Sequence, residues 1–364
     1  MRKVATTIAI LFYTMLVFGD DGTYLTKGGL IYPTKETKIS MDKEILSFTC
    51  ANNKAQVDIY FEFNNPESVD RKLLLGFQAP RAHGGASEEQ YNSNQIKNFR
   101  IIKDGDILPY NLKFAECEDC ELKDPSIIKT TEYEGGLFVY LFEVTFKPGI
   151  NKIFHSYEYP ASSNIEIDQI YNYILTTGSK WANGTIKDLT VQIDMGTNKY
   201  FYLTDIFGKN ADWSIIGTGK VTNVKYEYIE DSIRMVRILS GMLQVKASNI
   251  KPIHDIEFGI FNNNVFVTNT YADYVNAINT DKALRYFKTD LKDYDIEPFT
   301  KAELKIIRNT IYAQYGYAFK TKDLQDYFNK YEWYIPDPNL TMEQIKLTEK
   351  EKKFIAEIIE LEKK

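Results

Sequence analysis

Between Tyr24 and about Phe261 the chain is a succession of short apolar runs, each stopped by Gly, Asn, Asp or Pro. Val57–Phe63 alternates loosely and ends at Asn64-Asn65-Pro66, and Leu73–Phe77 follows. Phe99–Lys103 turns at Asp104-Gly105 into Ile107–Leu112, and Leu137–Phe146 turns at Pro148-Gly149 into Lys152–Tyr159. Asp-Gly between two apolar runs is a hairpin signal, because a tight hairpin turn needs positive φ and these residues tolerate it. Later runs occupy Ile165–Leu175, Ile186–Ile193, Val221–Tyr228, Ile233–Leu239, Met242–Val245 and Ile256–Phe261. Strands this short at this spacing build sandwiches or barrels. A chain of 364 residues also exceeds what one hydrophobic core usually serves.

The expected fold is therefore mainly β. Two antiparallel β-sandwich-like domains precede a small three-helix C-terminal domain. The boundaries read as a signal peptide over 1–19, a first β domain over 20–178 and a second over 179–270. A helical linker over 271–298 and a helical domain over 299–364 complete the chain. The linker is drawn where the period changes: Leu284, Phe287, Leu291 and Tyr294 follow helical spacing, with Thr280 as N-cap.

The first nineteen residues read as an address. Arg2 and Lys3 precede an uncharged apolar run over Val4–Phe18, and Val17 and Gly19 are small enough for a cleavage site. A membrane anchor competes, but the run is short of a full span. No cysteine follows it for a lipid anchor. The expectation is an exported protein with no transmembrane span after cleavage.

Removing Arg2 and Lys3 takes the formal charge from −6 to −8. Nucleic-acid binding demands a basic face, and none is visible. Nor does an acidic chain have an electrostatic reason to lie on an anionic membrane.

The C-terminal part carries the clearest local signals. Thr300 and Glu303 form a capping box, in which each side chain satisfies the other's backbone N–H. Leu304, Ile307, Ile311 and Tyr315 make one apolar stripe, and Gly316 supplies a left-handed stop. A second short helix carries Leu324, Tyr327 and Phe328. Thr348 and Glu351 open a third, with Phe354, Ile355, Ile358 and Ile359 inward. Trp333, Tyr334 and Phe319 fill the small core.

The run Arg308-Asn309 … Ile311-Tyr312-Ala313-Gln314-Tyr315-Gly316-Tyr317-Ala318-Phe319, with Leu324, Phe328 and Trp333-Tyr334 downstream, resembles the YARHG domain, named for a Tyr-Ala-Arg-His-Gly motif. The resemblance implies an exported bacterial protein and no particular chemistry. Here Gln314 and Tyr315 stand where Arg and His are usual. Candidate interaction residues are accordingly Arg308, Asn309, Tyr312, Gln314, Tyr315, Gly316, Trp333 and Tyr334. Arg308 reads as the partner of a carboxylate such as Glu303 or Asp323. A second resemblance covers Asp21-Gly22 … Gly28-Gly29-Leu30, Ile39-Ser40-Met41 and Tyr173-Ile174-Leu175-Thr176-Thr177-Gly178 … Trp181 … Gly184. It is to a family of exported β-rich bacterial proteins that sometimes precedes a YARHG domain.

Other motifs invite a chemical reading. Glu116, Glu118, Asp119 and Glu121 surround Cys117 and Cys120, and like charge disfavours the thiolate that redox or metal chemistry needs. A structural Cys117–Cys120 disulfide is the preferred reading; Cys50 pairing with either, or a metal or redox role, are the alternatives. His83-Gly84-Gly85 lacks the nucleophile elbow that would make it an esterase oxyanion loop. His155 and His254 read as core histidines. Asp104-Gly105-Asp106 is too short for a calcium loop, and Gly217-Thr218-Gly219 lacks phosphate-loop spacing. The 26 Tyr and 22 Phe could stack on sugars or anchor a partner, but alternating aromatics also fill β cores. No catalytic residue, cofactor or metal site is legible. The expected function is a non-enzymatic envelope protein that binds glycan, peptidoglycan or protein. The alternative is a hydrolase whose carboxylates are brought together by folding.

Overall fold

Alternation builds the centre of the molecule. Along β4 (Lys54–Asn65), Ala55, Val57, Ile59, Phe61 and Phe63 are buried, while the residues between them are partly exposed. It is joined to β3 (Ser40–Ala51) through Asn52-Asn53, both at positive φ, the geometry a two-residue hairpin turn demands. This computed structural model describes residues 22–27, 30–34, 38–78, 94–115, 123–124, 137–164, 167–204, 206–207, 211–224, 233–261, 300–331 and 334–363. The expected signal peptide, the linker helix with Thr280, the His83 loop, Cys117, Cys120 and Trp333 lie outside them.

Among the described residues the strands form two sheets. The smaller has the order β2 (Leu30–Thr34), β1 (Gly22–Lys27), β5 (Arg71–Gln78), β9 (Leu137–Phe146), β8 (Asn111–Ala115). The larger runs β11 (Ile167–Tyr173), β16 (Ile256–Phe261), β13 (Lys199–Thr204), β15 (Ile233–Ile250), β12 (Ile186–Asp194), β3, β4, β10 (Gly149–Pro160), β6 (Lys97–Lys103), β7 (Asp106–Ile107). β14 (Ser214–Val224) pairs with β15 off that path. Among the described residues the chain is mainly β, with three α-helices near its C-terminus.

Two details differ from the sequence expectation. The β9–Pro148–β10 turn is not a hairpin. β9 lies in the small sheet and β10 in the large one, so the chain crosses between sheets there, and Asn151 fixes the corner with bonds to Lys147 and Gly149. The large sheet is not wholly antiparallel, because β3 and β12 run parallel. About 140 residues separate them, so no tight turn constrains their direction.

The two sheets share one core. Rings of the small sheet meet rings of the large one: Phe146 against Phe63, Phe77 against Phe99 and Tyr157, Phe142 against His155. His155 is fully buried among Phe61, Phe77, Phe99 and Phe142, and burial depresses its pKa to about 3. His254 instead lies exposed ahead of β16. Trp181 closes one end of the core on Phe63, with Tyr173 donating to the buried Glu44 and Asp255 accepting from the N–H of Thr176. The Tyr173–Trp181 motif thus serves packing. Cys50 is free and buried, its thiol pushed up to about 12 by burial and then by Asp194.

The element that shapes the functional region is β15. Its first half pairs with β13 and its second half with β12, while β14 pairs with it from Ile233 to Gln244. The ladder bends between the halves, at Gly217 opposite Gly241, both at positive φ. A Cβ on Gly241 would lie 1.8 Å from the Ile216 carbonyl oxygen, so only glycine permits this approach. Gly217-Thr218-Gly219 is therefore a sheet corner with a bulge. The turn 195–198 interrupts the opposite edge between β12 and β13, with Gly196 and Asn198 at positive φ. A notch results.

Candidate binding cleft

The C-terminal module is built as its local signals dictate. α1 (Lys301–Gln314) and α3 (Glu349–Glu362) both start at complete capping boxes, and α2 (Lys322–Phe328) lies between them. Leu304, Ile307 and Ile311 are buried on α1, and Phe319 stacks on Phe328 beside Tyr334, whose hydroxyl donates to the Tyr317 carbonyl. Two side-chain expectations are corrected. Arg308 pairs with Glu362 at 3.1 Å, fastening α1 to α3, while Asp323 is taken by Lys305 at 2.6 Å. Ile359 is exposed; Ile355 and Ile358 carry the inward face of α3. Asn309 is used within its helix, donating to the Lys305 carbonyl, and Tyr312 borders the aromatic cluster.

The end of α1 joins the module to the sheet. Gly316, at φ +82°, lets its N–H reach the Ala313 carbonyl and the Tyr317 N–H reach that of Tyr312, closing the helix with paired back-bonds. These bonds leave the Gln314 carbonyl without a helical partner. Arg237, buried on β15, donates to it, and also to the Asn198 side chain and the carbonyls of Lys199 and Ile238. Its guanidinium sits 5.8 Å from the ring centre of Tyr200, and a cation is favoured at the negative end of a helix. A Cβ at Gly316 would lie 2.7 Å from Leu239 Cδ1 and 2.8 Å from the Ile335 oxygen. The motif glycine therefore serves both the turn and the contact with β15.

Tyr315 does not extend the apolar stripe of α1, because it is the capping residue and points elsewhere. Its hydroxyl donates to Glu351, at 2.9 and 3.1 Å from the two carboxylate oxygens. Burial, then Glu351, pushes the phenol up to about 12, so it remains a neutral donor. The same carboxylate accepts from the Thr348 N–H and hydroxyl. Between this linkage and the notch lies a cleft of about 610 Å³. Asn198, Lys199 and Ser240 line it from the sheet; Tyr315, Gln344 and Lys346 line it from the module.

Residues 277–363 match the YARHG domain family. The match begins inside the stretch read as a linker, so the YARHG region reaches further upstream than the three helices. No curated protein matches the chain. A crystal structure from Legionella pneumophila, described as a "putative nutrient binding protein", is similar at 19% identity and a TM-score of 0.48, over 95% of this chain and 98% of that one. That likeness carries no functional argument.

Of the sequence candidates, Tyr315 reaches the cleft, and Gln314 and Gly316 dock the YARHG region onto β15. Arg308, Asn309, Tyr312 and Tyr334 serve the region's own packing. Sequence reasoning missed Asn198, Lys199, Arg237 and Lys346. The available signal was two arginines inside the apolar run Ile233–Leu239, since charge in a buried strand requires a partner. Among the described residues no cluster could hold a metal ion, and no helix is long and apolar enough to cross a membrane.

Proposed function

We propose that this is an extracytoplasmic binding protein, without catalytic activity, that holds a small ligand between its β body and its YARHG region. The observation that carries the reading is the cleft, in which each wall comes from a different part of the chain. Its volume falls within the range of about 300–1,000 Å³ usual for small-molecule sites. Extracytoplasmic placement rests on the N-terminal address and the family likeness. A hydrolase would need a carboxyl available to the substrate. Asp337 and Glu351 line the cleft, but Glu351 is held by Thr348 and Tyr315, which leaves Asp337 with one unengaged oxygen where a hydrolase of this kind uses two carboxyls.

The test is a thermal-shift screen of small polar metabolites against the wild type and Ser240→Trp. Ser240 is exposed on the cleft wall, so the indole fills the cleft without entering the core. Compounds that raise the melting temperature of the wild type should lose their effect on the variant. Equal shifts on both proteins would place the ligand elsewhere.

A further inference from the structure

We infer that the ligand of this cleft is a small organic anion, an inference that rests on the cleft being the binding site. It comes from separating the lining groups already committed inside the protein from those left over. The carboxylates are engaged, Glu351 through both oxygens and Asp337 through one. Glu351 takes Tyr315 Oη and both donors of Thr348, and Asp337 Oδ1 takes the Asn339 N–H. The two amides are half committed, and in the same sense. Asn198 Oδ1 accepts from Arg237, and Gln344 Oε1 accepts from the Thr341 N–H at 2.8 Å. Both partners are pure donors, which fixes the oxygen of each amide and leaves its NH₂ unspent.

The donors left over therefore share one character. Among the described residues Asn198 Nδ2 and Gln344 Nε2 have no partner, nor do the ammonium groups of Lys199 and Lys346. One lysine and one amide stand on the sheet wall, and one of each on the YARHG wall. The hydroxyls of Thr197, Thr218 and Ser240 also line the cleft and can donate to a ligand, and Asp337 keeps one carboxylate oxygen; the two ammonium groups, one on each wall, are what a neutral polyol or a cation would leave unneutralised. A carboxylate or phosphate supplies acceptors only, and charge-assisted bonds to it are about twice as strong as neutral ones. An oxyanion seated between Lys199 and Lys346 would tie the two walls together. Its remaining oxygens would accept from the amides.

The experiment is isothermal titration of the full-length protein with glucuronate and glucose 6-phosphate, which separate carboxylate from phosphate, and with glucose and glucosamine. At least one anion should bind, and more than about tenfold tighter than glucose, with affinity falling as salt rises. Lys199→Met and Lys346→Met should each weaken that anion about tenfold. Lys346 is exposed, so its variant keeps the fold of the free protein. Glucose or glucosamine binding as tightly as the anions would overturn the inference, as would undiminished binding by both lysine variants. So would the absence of heat from either anion at millimolar concentration. If a neutral or cationic compound binds the wild type and fails on Ser240→Trp, the anion class falls while the cleft stands as the site.

Discussion

His155 shows how a single residue couples the core to pH. It titrates near 3 when folded, because burial among four rings disfavours the imidazolium, against about 6.5 for an ordinary histidine. Above pH 6.5 neither folded nor unfolded chain holds the proton, so the residue adds no pH dependence. As pH falls from about 6.5 toward about 3, the unfolded chain takes up a proton that the folded chain refuses, and stability declines by up to about 1.4 kcal/mol per pH unit. His155→Phe removes that proton. In urea titrations between pH 6.5 and 4.5, the wild type should lose stability more steeply than the variant. Superimposable slopes would show that His155 is not the group responsible. The comparison of slopes holds even if the larger ring lowers stability at every pH.

At the scale of elements, the contact between α1 and β15 depends on Arg237, whose guanidinium serves four acceptors from two parts of the chain. Arg237→Met should lower the unfolding free energy by about 1–3 kcal/mol, because buried acceptors lose their donor. Arg237→Lys should recover less than half of that, since one ammonium cannot reproduce a planar fork. Chemical denaturation of the three proteins checks it; a lysine variant as stable as the wild type would refute the assignment. What was legible in sequence divides along the same line. The capping boxes Thr300/Glu303 and Thr348/Glu351 and the Asp104-Gly105 hairpin each depend on residues within a few positions, and all are present. The parallel pairing of β3 with β12, the crossing from β9 to β10, and the Arg308–Glu362 pair join distant residues, and periodicity is silent about them. Asn198, Gln344, Lys199 and Lys346 carry no local pattern at all. Only the fold brings them to one cleft.

At the scale of the whole molecule, the YARHG region forms one wall of the cleft. Its motif residues close a helix against β15, and the residue at the motif's His position fastens α3 beside the cleft. The glycine corner Gly217/Gly241 makes the notch, and the region covers it. Binding should therefore order both parts at once. The direct measurement is amide hydrogen exchange of the full-length protein with and without its tightest-binding anion. Coincident protection is expected over residues 197–199 and 239–241 of the sheet and over 337–351 of the YARHG region. Protection confined to one of these walls, or centred on the distant β11–β16 edge, would contradict it.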